Sequence, residues 1–290
     1  MNGDVLVGYR LLDVGDGGRL EQFGDRLTDR PAPQALERRR AADVWARADL
    51  RFEPDTGWTG AAHHLQPWTI EIEDLRLELR PTASGQVGLY PEHLSSLPWL
   101  RHQVRAAGPG RPPPALLNLF AYTGVTTLAL AAAGASVVHV DATRSAVEWA
   151  RRNAAVSELE ARPVRWIVDD AVGFVAREIR RGRRYDGIVL DPPAWGHAES
   201  GRAWRLEADL EELLAGCARL LGGGRGFCLL TAHSTGLTPD QLGALMAENL
   251  GAPDDQVEVG PMELLADSGA RLLLGGYARF TFDSEGRATV

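Results

Sequence analysis

The hydrophobic and polar positions divide the chain into two regions of different texture. Up to about residue 86, short stretches such as 68–73 and 75–79 alternate apolar with polar residues, which predicts half-buried antiparallel strands. From residue 87 onward, continuous apolar runs of strand length alternate with segments of helical composition. That alternation predicts repeated strand–helix–strand units. We therefore expect a small β-rich N-terminal module over residues 1–86 and an α/β domain over residues 87–290.

The apolar runs of the second region predict a complete doubly wound sheet. Strands are predicted at 115–119, 136–140, 164–168, 185–190 and 227–231, near Val257, and at 271–281. Helices are predicted from Pro91, from Gly124, and at 145–155, 171–180, 206–221 and 239–249. This order predicts a Rossmann-like α/β fold with seven strands. In the N-terminal module, residues 34–49 are predicted to form a short helix.

The turn after the first strand of this sheet has a composition that suits a nucleoside. Phe-Ala-Tyr-Thr-Gly occupies residues 120–124, so the turn lacks the G-x-G-x-x-G pattern that lets a pyrophosphate approach the backbone. A bulky turn suits a nucleoside without phosphates, and S-adenosylmethionine is the commonest such cofactor on a doubly wound sheet. Asp141 ends the second strand and can accept hydrogen bonds from ribose hydroxyls. The alternative is a turn of an α/β core that binds no ligand.

The segment Asp191-Pro-Pro-Ala-Trp195 after the fourth strand predicts an acceptor site. Two prolines extend the backbone and remove two N–H donors, so the neighbouring carbonyls are expected to face the cleft as unpaired acceptors. With the Asp191 carboxylate they would accept hydrogen bonds from a flat amino or ring N–H group, and Trp195 would stack on a planar substrate. Methyl transfer to nitrogen chiefly requires the nucleophile, methyl and sulfur to be held in line. The alternative is a strand-terminating turn with Trp195 in the core.

In this order and spacing, the motifs resemble those of class I S-adenosylmethionine-dependent methyltransferases. They are Asn-Leu-Phe-Ala-Tyr-Thr-Gly at 118–124, Val-Asp-Ala at 140–142, Asp-Ala at 170–171 and Asp-Pro-Pro-Ala-Trp-Gly at 191–196. More narrowly, the chain is similar to the group that contains the large-subunit ribosomal RNA cytosine-C5 and guanine-N7 methyltransferases and their bacterial relatives. The resemblance extends from about Gly88 to the C-terminus.

The resemblance implies a role for each matched residue. S-adenosylmethionine, converted to S-adenosylhomocysteine, is the expected cofactor, and no metal is expected. The expected cofactor contacts are Tyr90, His93, Asn118, Phe120, Ala121, Tyr122, Thr123, Gly124, Asp141, Ala142, Asp170 and Ala171. Among them, residues 118–124 would surround the methionine part, Asp141 would bind the ribose, and Asp170 would accept from the adenine amino group. Asp191, Pro192 and Trp195 are expected to be catalytic, and Pro193, Trp195, Trp204 and His233 are expected to contact the substrate.

The positions of the cysteines disfavour methylation of a cytosine carbon. That reaction needs a cysteine thiolate that adds to the ring, and relatives that perform it carry the cysteine after the fifth strand or beside the Asp-Pro-Pro turn. Here the fifth strand leads to His233, while Cys217 and Cys228 occupy helical and strand-interior positions typical of small buried hydrophobes. His233 is a general base, a substrate contact or a structural histidine of the loop.

Composition and charge bear on location and partners. The 290 residues are 44% hydrophobic and 24% charged, which is ordinary for a globular protein. No apolar run approaches the roughly 20 residues that span a bilayer, and no signal-peptide pattern begins the chain, so a cytoplasmic protein without a membrane partner is expected. The formal net charge of −8 contrasts with the basic footprint usual for RNA binding. The basic clusters at 38–40 and 180–184 are expected to be solvated helix faces or ends.

The leading hypothesis is S-adenosylmethionine-dependent methyl transfer to a nitrogen of a planar heterocycle, with a base in ribosomal RNA as the acceptor. The first alternative is a methyltransferase that acts on a small-molecule metabolite, which the acidic charge favours. The second is a cofactor-binding module that assists RNA assembly without catalysis. A monomer or a homodimer is expected.

Overall fold

The structure is a computed structural model that describes residues 8–106, 112–197, 203–222, 224–233 and 236–282. Its internal contacts form two compact units. The first contains the chain up to Leu94 together with residues 155–157 and 263–274, and the second contains the rest. The domain boundary that the sequence places at residue 86 remains a prediction. Within the described ranges, every helix is too short or too polar to cross a bilayer.

The first unit is rich in antiparallel strands, as the alternating pattern predicted. A five-stranded sheet has the order β1-β2-β3-β4-β5, and β6 and β7 form a separate pair. The strands are β1 (Tyr9–Gly15), β2 (Gly18–Phe23), β3 (Arg26–Pro31), β4 (Leu50–Glu53), β5 (Gly57–Gly60), β6 (Trp68–Ile72) and β7 (Leu75–Leu79). The hairpin of β6 and β7 confirms the two strands predicted at 68–73 and 75–79.

The helix predicted at 34–49 is wrong in extent, because only α1 (Ala42–Trp45) forms there. The Asp13 carboxylate accepts hydrogen bonds from the backbone N–H groups of Arg40 and Ala41, at 2.8 and 2.9 Å, and from the indole Nε1 of Trp45 at 2.8 Å. Backbone donors that bond to a side chain are not available to a helix. A long-range contact therefore overrides the local helical preference.

The second unit alternates strands and helices. Its strands are β8 (Ala115–Leu119), β9 (Ser136–Asp141), β10 (Val164–Val168), β11 (Gly187–Leu190), β12 (Trp195–His197), β13 (Ala203–Arg205) and β14 (Gly226–Ala232), followed by β15 (Glu258–Leu265) and β16 (Arg271–Phe282), which also contribute residues to the first unit. Its helices are α2 (Leu97–Arg105), α3 (Val125–Ala132), α4 (Arg144–Val156), α5 (Ala171–Arg180), α6 (Leu206–Leu220) and α7 (Pro239–Leu250). Short 3₁₀ helices occupy Pro91–Ser96 and Asp254–Gln256.

These strands form the expected seven-stranded sheet, in the order β10-β9-β8-β11-β14-β16-β15. The pairs from β10 to β14 are parallel, and β16 pairs antiparallel with β14. From β8 the strand order proceeds outward in both directions, to β9 on one side and to β11 on the other. In an open α/β sheet, ligands bind beyond the carboxyl ends of the strands at such a reversal.

The central strands carry nearly continuous apolar residues because helices cover both faces of the sheet. Leu117, Leu119, Leu190 and Leu230 are completely buried. They belong to one cluster with the inward faces of α5, α6 and α7. This core fixes the strand ends from which the candidate site is built.

Candidate active site

The register of the central strands brings three turns together. Leu119 at the end of β8 lies opposite Val140 of β9 and opposite Leu190 of β11. The next residues along these strands are Phe120, Asp141 and Asp191, so their turns begin side by side at the carboxyl edge. The sequence predicted both acids at this edge, and the pairing explains why the two predicted half-sites are neighbours.

The turn at residues 120–124 has an unusual backbone. Phe120, Tyr122 and Gly124 have φ angles of 56°, 48° and 90°, in the left-handed region that non-glycine residues rarely adopt. A Cβ atom at Gly124 would lie 2.9 Å from Cβ of Ala150, so α4 packs too closely for any other residue. The Ala121 N–H bonds to the Val140 carbonyl at 3.0 Å. The turn is therefore held in one shape by its neighbours, as strained backbone at functional sites usually is.

Asp141 supports this turn directly. Its Oδ2 accepts from the backbone N–H of Tyr122 at 2.8 Å, and its Oδ1 accepts from that of Thr143 at 2.9 Å. Burial raises the pKa of Asp141, and these hydrogen bonds offset part of the shift. Each carboxylate oxygen has two lone pairs, so both retain capacity for a ribose hydroxyl. The residue predicted to bind ribose thus also shapes the turn.

A buried hydrogen-bonded chain lies on the inner side of the turn. The amide Nδ2 of Asn118 donates to Oγ1 of Thr127 at 2.8 Å, and that hydroxyl lies 2.9 Å from Nδ1 of His139. Because the hydroxyl accepts from Asn118, its own proton is available to His139, which then remains neutral. Burial, with a smaller contribution from the charge of Arg151, lowers the pKa of His139 to about 3. The sequence analysis assigned no role to Thr127 or His139.

The acid after β10 has a structural partner of its own. Asp170 is the N-cap of α5, and its Oδ1 accepts from the Gly173 N–H at 2.9 Å. Ala171 is buried at the start of this helix, and Ala142 lies half-buried after Asp141. The predicted adenine contact of Asp170 would have to coexist with this cap.

Asp191 is held by two residues of the neighbouring strand β14 and its end. Oγ1 of Thr231 donates to Oδ1 of Asp191 at 2.6 Å, and Nε2 of His233 lies 3.5 Å from the same oxygen. The sequence analysis considered His233 but missed Thr231. The available signal was the parallel pairing of Leu190 with Leu230, which places the next residues, Asp191 and Thr231, side by side.

The two prolines after Asp191 differ in exposure, since Pro192 is buried and Pro193 is exposed. The prediction of unpaired carbonyls here is wrong for Pro193, because its carbonyl accepts from the indole Nε1 of Trp204 at 2.7 Å. Trp204 is 7% exposed, and its ring centroid lies 5.0 Å from that of Phe120. Its only donor is thus committed to holding the turn, and its substrate contact remains a prediction.

Trp195 has the opposite environment. Its side chain is 63% exposed, although it belongs to β12, which pairs with β13 in a short hairpin that the sequence analysis did not predict. The alternative in which Trp195 lies in the core is therefore wrong. Its stacking on a planar substrate remains a prediction.

The two remaining predicted cofactor residues belong to the first unit. Tyr90 and His93 are half-buried, and their rings meet edge to face with centroids 6.2 Å apart. Their proposed contacts with the cofactor remain predictions.

Neither cysteine has the environment of a nucleophile. Cys217 and Cys228 are completely buried. Burial raises the pKa of Cys217 to about 12 and that of Cys228 well above its usual value. Because the thiolate is the reactive form, these residues behave as the predicted buried hydrophobes.

The fold is that of an open α/β sheet with a candidate ligand site at its carboxyl edge, and comparison with known proteins identifies its family. Residues 20–251 match the S-adenosylmethionine-dependent methyltransferase family, so the chain belongs to that family. Its structure is similar to that of the S-adenosylmethionine-dependent methyltransferase from Agrobacterium tumefaciens, with a TM-score of 0.88 and 34% identity over 97% of this chain and 92% of the other.

Two curated relatives are ribosomal RNA methyltransferases. Ribosomal RNA large subunit methyltransferase K from Neisseria meningitidis is 25% identical over 241 residues, which cover 68% of this chain and 65% of that protein. Ribosomal RNA large subunit methyltransferase I from Alteromonas mediterranea is 24% identical over 207 residues, or 69% of this chain and 49% of that protein. The chain thus matches 65% and 49% of the length of these two relatives.

Proposed function

We propose that the protein transfers a methyl group from S-adenosylmethionine to a nitrogen of a planar heterocycle, and that the acceptor is a base of large-subunit ribosomal RNA. Membership of the methyltransferase family supports the cofactor. The names of the two curated relatives support the RNA. The observation that carries the acceptor chemistry is the 63% exposed indole of Trp195 beside the supported carboxylate of Asp191.

The turn after β8 and the acid after β9 would hold the cofactor. Asp141 would accept hydrogen bonds from the ribose hydroxyls, and residues 120–124 would enclose the methionine part. When bound, S-adenosylmethionine supplies an activated methyl group on a sulfonium. Asp170 would accept a hydrogen bond from the adenine amino group through the lone pairs that its bond to the Gly173 N–H leaves unused. The residues present fit this cofactor because a half-buried carboxylate, which can still accept hydrogen bonds, lies beside a preformed turn.

The turn after β11 would bind the acceptor. Trp195 would stack on the base, and the Asp191 carboxylate would accept a hydrogen bond from the N–H group to be methylated. An attacking amino nitrogen becomes cationic as it gains the methyl group, and an adjacent carboxylate stabilises that charge and can remove the proton. His233, 3.5 Å from Asp191, would orient the carboxylate or relay the proton. The buried thiols leave methylation of a cytosine carbon without its nucleophile.

A small-molecule acceptor remains the second candidate because the formal net charge is −8. The salt dependence of KM separates the two acceptors. Binding of RNA releases counterions and weakens steeply with salt, whereas binding of a neutral metabolite changes little.

The direct test combines the purified protein with labelled S-adenosylmethionine and unmodified large-subunit ribosomal RNA transcribed in vitro. Digestion to nucleosides and mass spectrometry then identify the methylated atom. The expected product carries the label on a base nitrogen, and the Asp191→Asn variant, as the matched control, should give none. Label on a carbon or on a ribose oxygen would reject the nitrogen assignment. Label only on small molecules of a metabolite extract would reject RNA.

A further inference from the structure

An arginine-rich segment lies outside the site just described. Every one of the 31 basic residues of the chain is an arginine, and seven of them fall between Arg162 and Arg184, where only three acids occur. This concentration belongs to a chain with a formal net charge of −8. The segment comprises the edge strand β10, helix α5 and the loop before β11. The active-site argument uses none of these arginines.

The three acids of this segment already have partners. Asp169 pairs with Arg177, and Asp170 caps α5. Glu178 is 1% exposed and accepts from Nη1 of Arg181 at 2.9 Å. Within the described ranges, the other five arginines have no carboxylate within ion-pair distance. We call these five the arginine face: Arg162, Arg165, Arg180, Arg183 and Arg184.

Arg165 and Arg183 of the arginine face lie close to one hydrogen-bonded pair, Glu178 and Tyr185. Burial raises the pKa of Glu178, but its hydrogen bonds and the charges of Arg165 and Arg181 lower it overall. The charges of Arg165 and Arg183 also act on the hydroxyl of Tyr185, which donates to Glu178 at 2.7 Å. A strand, a helix end and a loop thus direct positive charge to one place, where a single negative charge is buried.

Stabilisation of the α5 dipole explains only part of this arrangement. Arg177 and Arg180 lie in the last turn of α5, where a positive charge is favourable. Arg162 and Arg165 lie outside the helix, on the loop into β10 and on β10 itself, so they are not charges of its last turn. All five residues of the arginine face are exposed to solvent.

We infer that the arginine face binds the phosphate backbone of the RNA substrate, away from the target base. This inference rests on the proposed function. One guanidinium group can donate two parallel hydrogen bonds to the oxygens of a phosphate, which favours arginine for this role. β10 is the terminal strand of its sheet, so no strand in the part of the chain that the structure describes pairs with its outer side. RNA is the polyanion that fits, because the same protein would hold its base in the active site.

The separation of the two surfaces suits a strand of RNA. Helix α5 begins at the carboxyl edge of the sheet and runs for ten residues, which is about 15 Å at 1.5 Å per residue. The arginine face would therefore contact phosphates several nucleotides from the target base. A mononucleotide or a metabolite bound at Asp191 does not reach it.

The test compares two triple variants of equal charge. Arg165→Gln/Arg183→Gln/Arg184→Gln removes part of the arginine face. The control Arg10→Gln/Arg76→Gln/Arg271→Gln removes three arginines of the first unit, each paired with a carboxylate. The Kd for transcribed large-subunit ribosomal RNA is measured from 50 to 200 mM salt, together with the Kd for S-adenosylmethionine, the melting temperature and the kcat.

The face variant should lower the slope of log Kd against log salt by about two to three and raise the Kd about 10- to 100-fold at low salt. Its kcat at saturating RNA, its cofactor Kd and its activity on a trinucleotide acceptor should match those of the control variant. If both variants have the same Kd and slope and RNA is still methylated, the inference that the arginine face binds RNA is overturned and the proposed function stands. A wild-type protein that neither binds nor methylates RNA would overturn both.

Discussion

The turns after β8 and β11 leave neighbouring strands of one sheet, yet they are built differently. In the turn at 120–124, left-handed backbone and the Asp141 carboxylate fix the shape. In the turn at 191–195, two prolines restrict the backbone, and Trp204 bonds one of its carbonyls. The first turn has no exposed large side chain, whereas the second presents an indole that is 63% exposed. One turn is enclosed by the protein itself, and the other carries an exposed aromatic side chain.

The support beneath the two turns differs in the same way. Under the first lies the chain Asn118–Thr127–His139, in which all three residues are buried. Under the second, a buried Thr231 and a half-buried His233 hold the carboxylate of Asp191. We infer that the first turn is preorganised for the cofactor and that the second is polarised for chemistry. Substitutions in each turn should therefore affect different constants.

Asp191→Asn should have the largest effect. Asparagine keeps the shape of the side chain but removes the charge that stabilises a cationic nitrogen and takes its proton. We expect kcat to fall about 10³-fold, or about 4 kcal/mol, while the Kd for S-adenosylmethionine changes less than about twofold. Single-turnover kinetics and calorimetric titration measure the two quantities. An equal loss of cofactor binding would make Asp191 a cofactor or structural residue.

Asp141→Ala should show the converse pattern. The substitution leaves the N–H groups of Tyr122 and Thr143 without their acceptor and removes the proposed ribose contact. We expect the Kd for S-adenosylmethionine to rise about 10- to 100-fold, or about 1–3 kcal/mol. Saturating cofactor should restore most of the kcat. If the affinity stays at the wild-type value, neither the ribose contact nor the preorganised turn is needed for cofactor binding.

Trp195→Ala should sharpen the comparison on the acceptor side. A stacked base loses about 2 kcal/mol with its aromatic partner, so KM for RNA should rise about 30-fold. The melting temperature and the cofactor Kd should not change, because the indole is largely exposed. Trp195→Phe, the matched control, should recover part of the affinity. A large loss of stability instead would mean that Trp195 serves the fold.

The local pattern was sufficient to predict the regular elements of the second unit. The strand at 164–168 and the helix at 171–180 have the predicted bounds, because a short apolar run and an N-cap acid are local signals. The turn acids could also be predicted, since they follow buried strands. By contrast, β12 and β13 have three residues each, which is too short for any periodicity.

The features that were missed depend on contacts between distant residues. Thr231 looks like any strand residue until the pairing of β11 with β14 places it beside Asp191. The Pro193 carbonyl finds its donor only because the chain returns through β13 with Trp204. The helix predicted at 34–49 is shortened by hydrogen bonds to Asp13, more than twenty residues away along the chain. The periodicity of a sequence describes neighbours along the chain, so it cannot predict contacts between such distant residues.

His139→Gln tests the buried support of the first turn through pH. The pKa of His139 is about 3 in the folded protein and about 6.5 in the unfolded chain. Between these values only the unfolded chain binds the proton, so the stabilisation is complete above about pH 6.5 and declines as the pH falls toward 3. From pH 7.5 to 5.5, this one group should lower the free energy of unfolding by about 1.4 kcal/mol.

Glutamine can still accept from Thr127 but does not titrate, so the difference in unfolding free energy between wild type and His139→Gln should shrink by that amount over the same interval. Urea unfolding at the two pH values measures it, and titrations shared by both proteins cancel. The matched control His102→Gln makes the same substitution at an exposed histidine. A constant difference for His139→Gln would mean that His139 takes up its proton over this pH interval in the folded protein as it does in the unfolded chain. The interpretation of His139 as a neutral member of the chain beneath the turn at 120–124 would then be wrong. So would the contrast between the buried residues that support the two turns.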